Sequence, residues 1–184
     1  MSPSFSHPIS CSLEILTRGK PWPQKKNLIS LLNLTLNQTL NLAFKSNDLP
    51  SFFKSFTEQP LEINLLLAHD SFVKTLNRKW RHKDAATNVL SFPTFEKTMS
   101  SEPLNFKDLK NPILLGEIVL SYEKCLEEIN LQKSFLNHVQ HLFLHGTLHL
   151  LGFDHEDAHD ANVMETLEIE ILKTLAIPNP YENP

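Results

Sequence analysis

The sequence predicts an α+β domain, a small mixed four-stranded sheet packed with about five to six helices. Three observations lead there. Short strand-like apolar runs and helical periodicities are interleaved irregularly, not in a regular β-α repeat. No internal repeat, low-complexity segment or linker divides the chain. Its 184 residues suit one core of ordinary size. Residues 1–184 are therefore expected to form a single domain, with 1–10 and 177–184 as loosely ordered ends.

Cys11-Ser-Leu-Glu-Ile-Leu-Thr17 alternates weakly and reads as a first strand. Leu28, Ile29, Leu32, Leu36 and Leu40 recur at helical spacing, which predicts an amphipathic helix over 24–44. Leu61–Ala68 is a strand after Pro60, and Asp70 or Ser71 can cap a short helix carrying Phe72, Val73 and Leu76. Asn88–Phe92 is a strand ended by Pro93. Residues 96–112, with two prolines and several small polar residues, form a long connection. Ile113–Leu120 is a strand with Gly116 inside it, and Tyr122–Asn130 a helix. Residues 134–151 form a strongly apolar helix, and 157–176 the last helix, with Val163, Leu167, Ile171 and Leu175 on one face. A proline-rich tail follows.

The composition is that of a globular protein, with 41% hydrophobic and 21% charged residues. No apolar run reaches the roughly 18–20 residues of a membrane span. The N-terminus lacks a basic segment followed by an apolar one, so the expected location is cytoplasmic, with no membrane partner. Cys11 and Cys125 are too few and too far apart for a disulfide framework or a zinc ribbon. A net charge of −4 does not announce a nucleic-acid binder, so a polyanion would have to meet a local patch. Residues 74–83 supply one: Lys74, Arg78, Lys79, Arg81, His82 and Lys83, with no acid among them. Such a run is also compatible with an ordinary solvated face.

The chemistry concentrates in His145-Gly-Thr-Leu-His149-Leu-Leu-Gly152-Phe-Asp-His155. Residues four apart on a helix stack on one face, so His145 and His149 can converge on one metal ion. Gly152 can end the helix in the left-handed conformation, and the reversed chain can return His155 as a third ligand. Three nitrogen ligands leave one tetrahedral position open, the pattern of a catalytic zinc site. The competing reading is a set of hydrogen-bonded core histidines, but three buried imidazoles in so apolar a helix are costly without a metal.

Other residues near the motif have two readings each. His141 can pair with His145 but lacks a glycine turn to deliver a third ligand. Asp154 can accept an N–H from a ligating imidazole, or Asp154 or Asp157 can cap the last helix. Met164 can lie beneath the site or belong to the helix core. The spacing matches H-E-x-x-H-x-x-G-x-x-H of metzincin peptidases, except that Gly146 replaces the glutamate base.

Three blocks together resemble the YbeY-type endoribonucleases, an rRNA maturation factor family. The histidine block is similar to the family's H-G-x-L-H-L-x-G-[YF]-D-H signature. Leu76-Asn-Arg-Lys-Trp-Arg81-His-Lys-Asp84-Ala-Ala-Thr87-Asn88-Val-Leu-Ser-Phe-Pro93 resembles its L-N-x-x-[YW]-R-x-x-D-x-x-T-[DN]-V-L-S-F-P stretch, and Gly116-Glu117-Ile-Val-Leu-Ser121 its G-[DE]-I-x-[IL]-[SC] strand. The tail pattern Met164…Glu168…Ile171…Pro180-Tyr181 is also similar. The resemblance covers roughly residues 61–181. It departs at Ala85-Ala86, where a proline commonly precedes the threonine.

This resemblance implies a single-strand-selective, metal-dependent endoribonuclease with one zinc ion per chain on His145, His149 and His155, and a functional arginine at Arg81. It implies a role in 16S rRNA 3′-end maturation and late 70S ribosome quality control. Single-stranded rRNA, the small ribosomal subunit, and a ribosome-assembly GTPase or small-subunit proteins are the implied partners. Arg81 would meet charge on the phosphoryl oxygens, while Lys79 and Lys83 hold flanking phosphates. Trp80 offers a stacking face for a base, or else belongs to the core. No residue is an obvious general base; Glu117 and Asp154 are candidates for that role and for supporting carboxylates. Two rival readings remain: a zinc hydrolase acting on peptides or small amides, and a non-catalytic ribosome-assembly factor with a structural zinc.

Overall fold

In a computed structural model, residues 9–19, 22, 25–95, 112–129 and 134–182 are described. The four strands are β1 (Cys11–Thr17), β2 (Leu61–Ala68), β3 (Val89–Pro93) and β4 (Ile113–Ser121). The helices are α1 (Lys25–Ala43), α2 (Ser51–Lys54), α3 (Asp70–Arg81), α4 (Tyr122–Glu127), α5 (Phe135–Leu150) and α6 (Ala158–Thr174). The sheet runs β1-β2-β4-β3, with β1, β2 and β4 parallel and β3 antiparallel at one edge. This is the expected α+β domain with a mixed sheet.

The strand alternation sorts residues onto two faces. Ile63, Leu65, Leu67, Ile118 and Leu120 face a large core with α1 and α5, while Val119 and Leu90 face a smaller one with Val73 of α3. On α1, Leu28, Leu32, Leu36 and Leu40 are all within 1% of complete burial, as their spacing requires. The helix α5 is covered by the sheet, α1 and α6, which explains why it is apolar nearly all round.

A bulge sets the phase of β4. Register shifts between Glu62 and Ile63, leaving Leu115 as the extra residue before Gly116. Gly116 has φ +149°, and a Cβ there would lie 2.4 Å from the Phe92 carbonyl oxygen. Only glycine fits, and beyond it Ile118 points to α5 while Glu117 points away.

Some local expectations change. The helix after β2 is longer than expected and ends at Arg81. Neither Asp70 nor Ser71 caps it: His69 is the N-cap residue, and Glu123 of α4 accepts the Asp70 N–H at 3.0 Å. A carboxylate from another element has taken the capping role, which local sequence does not reveal. Asp157, rather than Asp154, caps α6 by accepting the Asp160 N–H at 2.8 Å. The short helix α2 is not anticipated by the sequence pattern. It supplies Phe52, Phe53 and, just past its end, Phe56, which pack edge to face. The expected long connection over 96–112 and the N-terminal residues 1–8 lie outside the described residues, Pro112 excepted. In the tail, expected to be loosely ordered, Tyr181 is tied down by its hydroxyl to Glu168.

Candidate metal centre

His145 and His149 lie in the last two turns of α5. The helix ends as the sequence suggests: the Phe153 N–H bonds the Leu148 carbonyl and the Gly152 N–H the His149 carbonyl, with Gly152 at φ +83°. This pair of bonds reverses the chain through a left-handed glycine. Phe153 is buried by the turn, and His155 emerges beside the helix end. One nitrogen from each of His145, His149 and His155 falls within 4.8 Å of the others. The ring centroids are 4.7, 5.4 and 5.0 Å apart.

The tautomers follow from the partners. His145 Nδ1 lies 2.7 Å from Glu168 Oε1, and His149 Nδ1 lies 3.1 Å from the Phe153 carbonyl oxygen. Carbonyl oxygens and ionised carboxylates only accept, so both Nδ1 atoms carry protons. The Nε2 lone pairs of the two rings then face each other at 3.1 Å. Two lone pairs at that distance repel unless a cation or a proton lies between them. Nitrogens bound to one tetrahedral zinc at 2.0–2.1 Å stand about 3.3–3.4 Å apart. The donor set thus fits a metal ion. Burial, and then the charges of His145 and His155, push the His149 imidazole down to about 4, so it is a neutral donor at pH 7.

The most consequential supporting residue is Glu168 of α6, which is fully buried. It accepts His145 Nδ1–H and also, at 3.0 Å, His141 Nε2–H. Burial alone favours its protonated form, but the bonds and charge from the two histidines outweigh that and hold its carboxyl down at about 2. Burial and the Glu168 charge push the Tyr181 hydroxyl well above its ordinary range, so it stays a donor. The sequence does not single out Glu168 as a supporting carboxylate. The available signal is a lone acid among Met164, Leu167, Ile171 and Leu172 on the buried stripe of α6. Met164 itself is core, 1% exposed.

The two carboxylates expected to support the ligands fare differently. Asp154 lies near His149, with Oδ1 3.8 Å from Nδ1, but its hydrogen bond goes to the His155 N–H at 2.8 Å, while the Phe153 carbonyl holds His149. Glu117 is exposed on the sheet face opposite α5, because the Gly116 bulge turns it there. It therefore supports none of the histidines. His141 serves Glu168, and His138 bonds Glu128 at 2.7 Å, so both are engaged apart from the cluster.

A cleft of about 480 Å³ opens beside the histidines, lined by His149, His155, Asp154, Ser91, Phe95 and Arg81 among others. Arg81, the last residue of α3, reaches it past the edge strand and donates from Nη2 to the Ser91 carbonyl at 3.4 Å. Lys79 and Lys83 do not line the cleft. Lys79 instead holds its ammonium 4.6 Å over the Trp80 ring. Trp80 is 56% exposed, which rules out its reading as a core residue.

Gly146 sits flush on the sheet. A Cβ there would meet Ser91 Oγ at 3.0 Å and Ile118 at 3.1 Å. A side chain at this position, the glutamate of the metzincins included, would press on the sheet and require these neighbours to give way.

The fold and the site define a class: an α+β domain whose buried helix and its glycine turn gather three histidines in metal-ligand geometry beside an arginine-lined cleft. A family model described as Endoribonuclease YbeY matches residues 28–176. A protein named Endoribonuclease YbeY from Agrobacterium fabrum is 36% identical over 170 residues, covering 92% of this chain and 94% of that one. One of the same name from Rhizobium leguminosarum bv. trifolii is 38% identical over 162 residues, covering 88% and 87%. The chain belongs to the endoribonuclease YbeY family. The match takes in α1 from Leu28 onward, beyond the reach of the three sequence blocks.

Proposed function

We propose that this protein is a zinc-dependent endoribonuclease that hydrolyses phosphodiesters of single-stranded RNA. The carrying observation is the convergence of His145, His149 and His155, the last two lining the same open cleft as Arg81. Family membership, with relatives named as endoribonucleases, supports RNA as the substrate class. When bound by the three imidazoles, zinc supplies a Lewis acid for a phosphoryl oxygen and water acidified toward neutral pH.

The chain's own residues do the rest. The Arg81 guanidinium, always charged and planar, binds the phosphate and meets negative charge as it grows on the equatorial oxygens. Glu168 and the Phe153 carbonyl fix the two helical imidazoles in their donor tautomers. Asp154 is the remaining cleft carboxylate among those expected, and it is the candidate to take a proton from the attacking group. Lys79 and Lys83 add salt-dependent attraction for flanking phosphates from outside the cleft.

The setting we propose is cytoplasmic maturation of the 16S rRNA 3′ end and late 70S quality control. Single-stranded rRNA on the small subunit is the substrate there, with an assembly GTPase or small-subunit proteins as further partners. Among the described residues no helix is long and apolar enough to cross a membrane. The peptidase reading lacks its base, since Gly146 stands where the metzincin glutamate would be. The test is cleavage of single- and double-stranded 16S 3′-end RNA by the purified protein with and without chelator. Chelator-sensitive cutting of the single strand alone is expected. Cutting that persists after complete metal removal would overturn the reading.

A further inference from the structure

We propose that Trp80 is a stacking subsite for an unpaired base next to the cleaved linkage, a deepening that rests on the RNA reading above. The chain has two tryptophans. Trp22 is 2% exposed, whereas Trp80 is 56% exposed. An indole left in water at such a fraction loses the burial that ordinarily holds it in a fold.

Its position connects it to the cleft. Trp80 and Arg81 are consecutive in the last turn of α3 and diverge around the edge strand β3. Arg81 reaches the Ser91 carbonyl and lines the cleft, while Trp80 meets the next residue, Phe92, with ring centroids 6.4 Å apart at 67°. Ser91 directs its hydroxyl toward α5, and Phe92 packs on the α3 side. A strand whose phosphate is held at Arg81 therefore passes the sheet edge, and its next base comes over the indole.

The charges around the ring suit this ligand. Lys74 and Arg78 are engaged by Asp84, at 3.4 and 4.0 Å. Among the described residues Lys79, Arg81 and Lys83 have no carboxylate partner, and Lys79 lies against the indole itself. An exposed aromatic among free cations matches a chain that alternates phosphates with flat apolar bases. The nearest exposed residues of α3, Arg78, Lys79 and Arg81, are basic, while Phe72 and Leu76 on the Trp80 row are partly buried against the core of Val73, Leu90 and Val119. Paired bases already spend both faces in the duplex stack. The subsite therefore favours single strands.

The experiment uses the full-length protein and a short fluorescein-labelled 2′-O-methyl oligouridylate. Binding is read by anisotropy and contact by tryptophan emission, with unlabelled oligonucleotide for the emission series. Wild-type emission should be quenched on binding the single strand and stay unchanged with a duplex of the same length. Trp80→Phe should bind while losing the quenching, and Trp80→Ala should bind about 5- to 150-fold more weakly. If the oligonucleotide binds with quenching undiminished in Trp80→Phe, or with affinity unchanged in Trp80→Ala, the stacking subsite is wrong and the RNA reading stands. If neither single-stranded probe nor 16S 3′-end RNA binds at all, the RNA reading itself fails, and the subsite with it.

Discussion

Replacing Glu168 by Gln tests whether the buried carboxylate organises the metal site. The substitution keeps size and shape but removes the charge and half of the accepting capacity. Glu168 serves three donors: His145 at 2.7 Å, His141 at 3.0 Å and the Tyr181 hydroxyl. A glutamine offers one accepting oxygen, and its NH₂ must face at least one of those donors. Loss of a carboxylate behind a ligating imidazole typically costs about 10–100-fold in metal affinity, or about 1.4–2.7 kcal/mol. Competition against a zinc-binding dye measures this directly. An affinity equal to wild type would refute the assignment of Glu168 as the residue that orients His145.

The same variant has a pH signature. The folded protein lowers the Glu168 carboxyl from 4.5 to about 2. Because the folded-state value is depressed, its contribution is present above pH 4.5 and is lost as pH falls through about 2. The shift corresponds to about 3 kcal/mol at most, since about 1.36 kcal/mol accompanies each pH unit. Denaturant unfolding of the metal-free proteins should show wild type more stable than Glu168→Gln by up to that amount at about pH 6. The gap should narrow steadily below pH 4.5. A gap that stays constant down to about pH 2.5 would mean that the stabilisation is packing rather than charge.

Three further outcomes follow from the geometry. Arg81→Glu should reduce cleavage by about 10²–10³-fold, the cost of losing one donor to developing charge, while zinc affinity stays unchanged; a variant cutting at the wild-type rate removes Arg81 from the mechanism. His149 is depressed to about 4 in the folded state. Between its ordinary 6.5 and that value the unfolded chain binds a proton that the folded chain refuses. Metal-free stability should therefore decrease as pH is lowered from 6.5 towards about 4, by about 3 kcal/mol at most, and His149→Ala should flatten that slope in urea titrations while losing the metal. Gly116→Ala forces a Cβ to within 2.4 Å of the Phe92 oxygen at a positive φ, and should cost about 2–3 kcal/mol or more in thermal unfolding; unchanged stability would mean that the bulge has an alternative register.

Local pattern is enough to read the histidine cluster, because all three residues lie within one helix and its terminating turn. The His145–His149 spacing and Gly152 are facts of a few consecutive residues, and the bonds from Phe153 and Gly152 obey the same local geometry. The four strands are legible for the same reason. What is not legible depends on elements meeting across space. Glu168 is 23 residues from His145, and its role arises only when α6 packs on α5. Glu117 neighbours a glycine whose bulge reverses its direction, so an intact alternation gives the wrong face. The cap of α3 comes from Glu123, 53 residues away. Trp80 has two readings in the sequence because helical periodicity alone does not say how far α3 extends past its packing partners.

The arrangement also explains why glycine, not glutamate, follows His145. For His149 and Arg81 to share a cleft, α5 must lie close against β3 and β4, since Arg81 arrives around the outer edge of β3. Gly146 permits this approach, with Ser91 and Ile118 within about one methyl's reach of its backbone. A larger residue there would press on Ser91 and Ile118 and oppose that approach. Gly146 therefore lacks the carboxylate of the metzincin base and at the same time favours the close approach of α5 to the sheet. The glycine, unlike the spacing of the histidines, is a feature that the two kinds of site do not share.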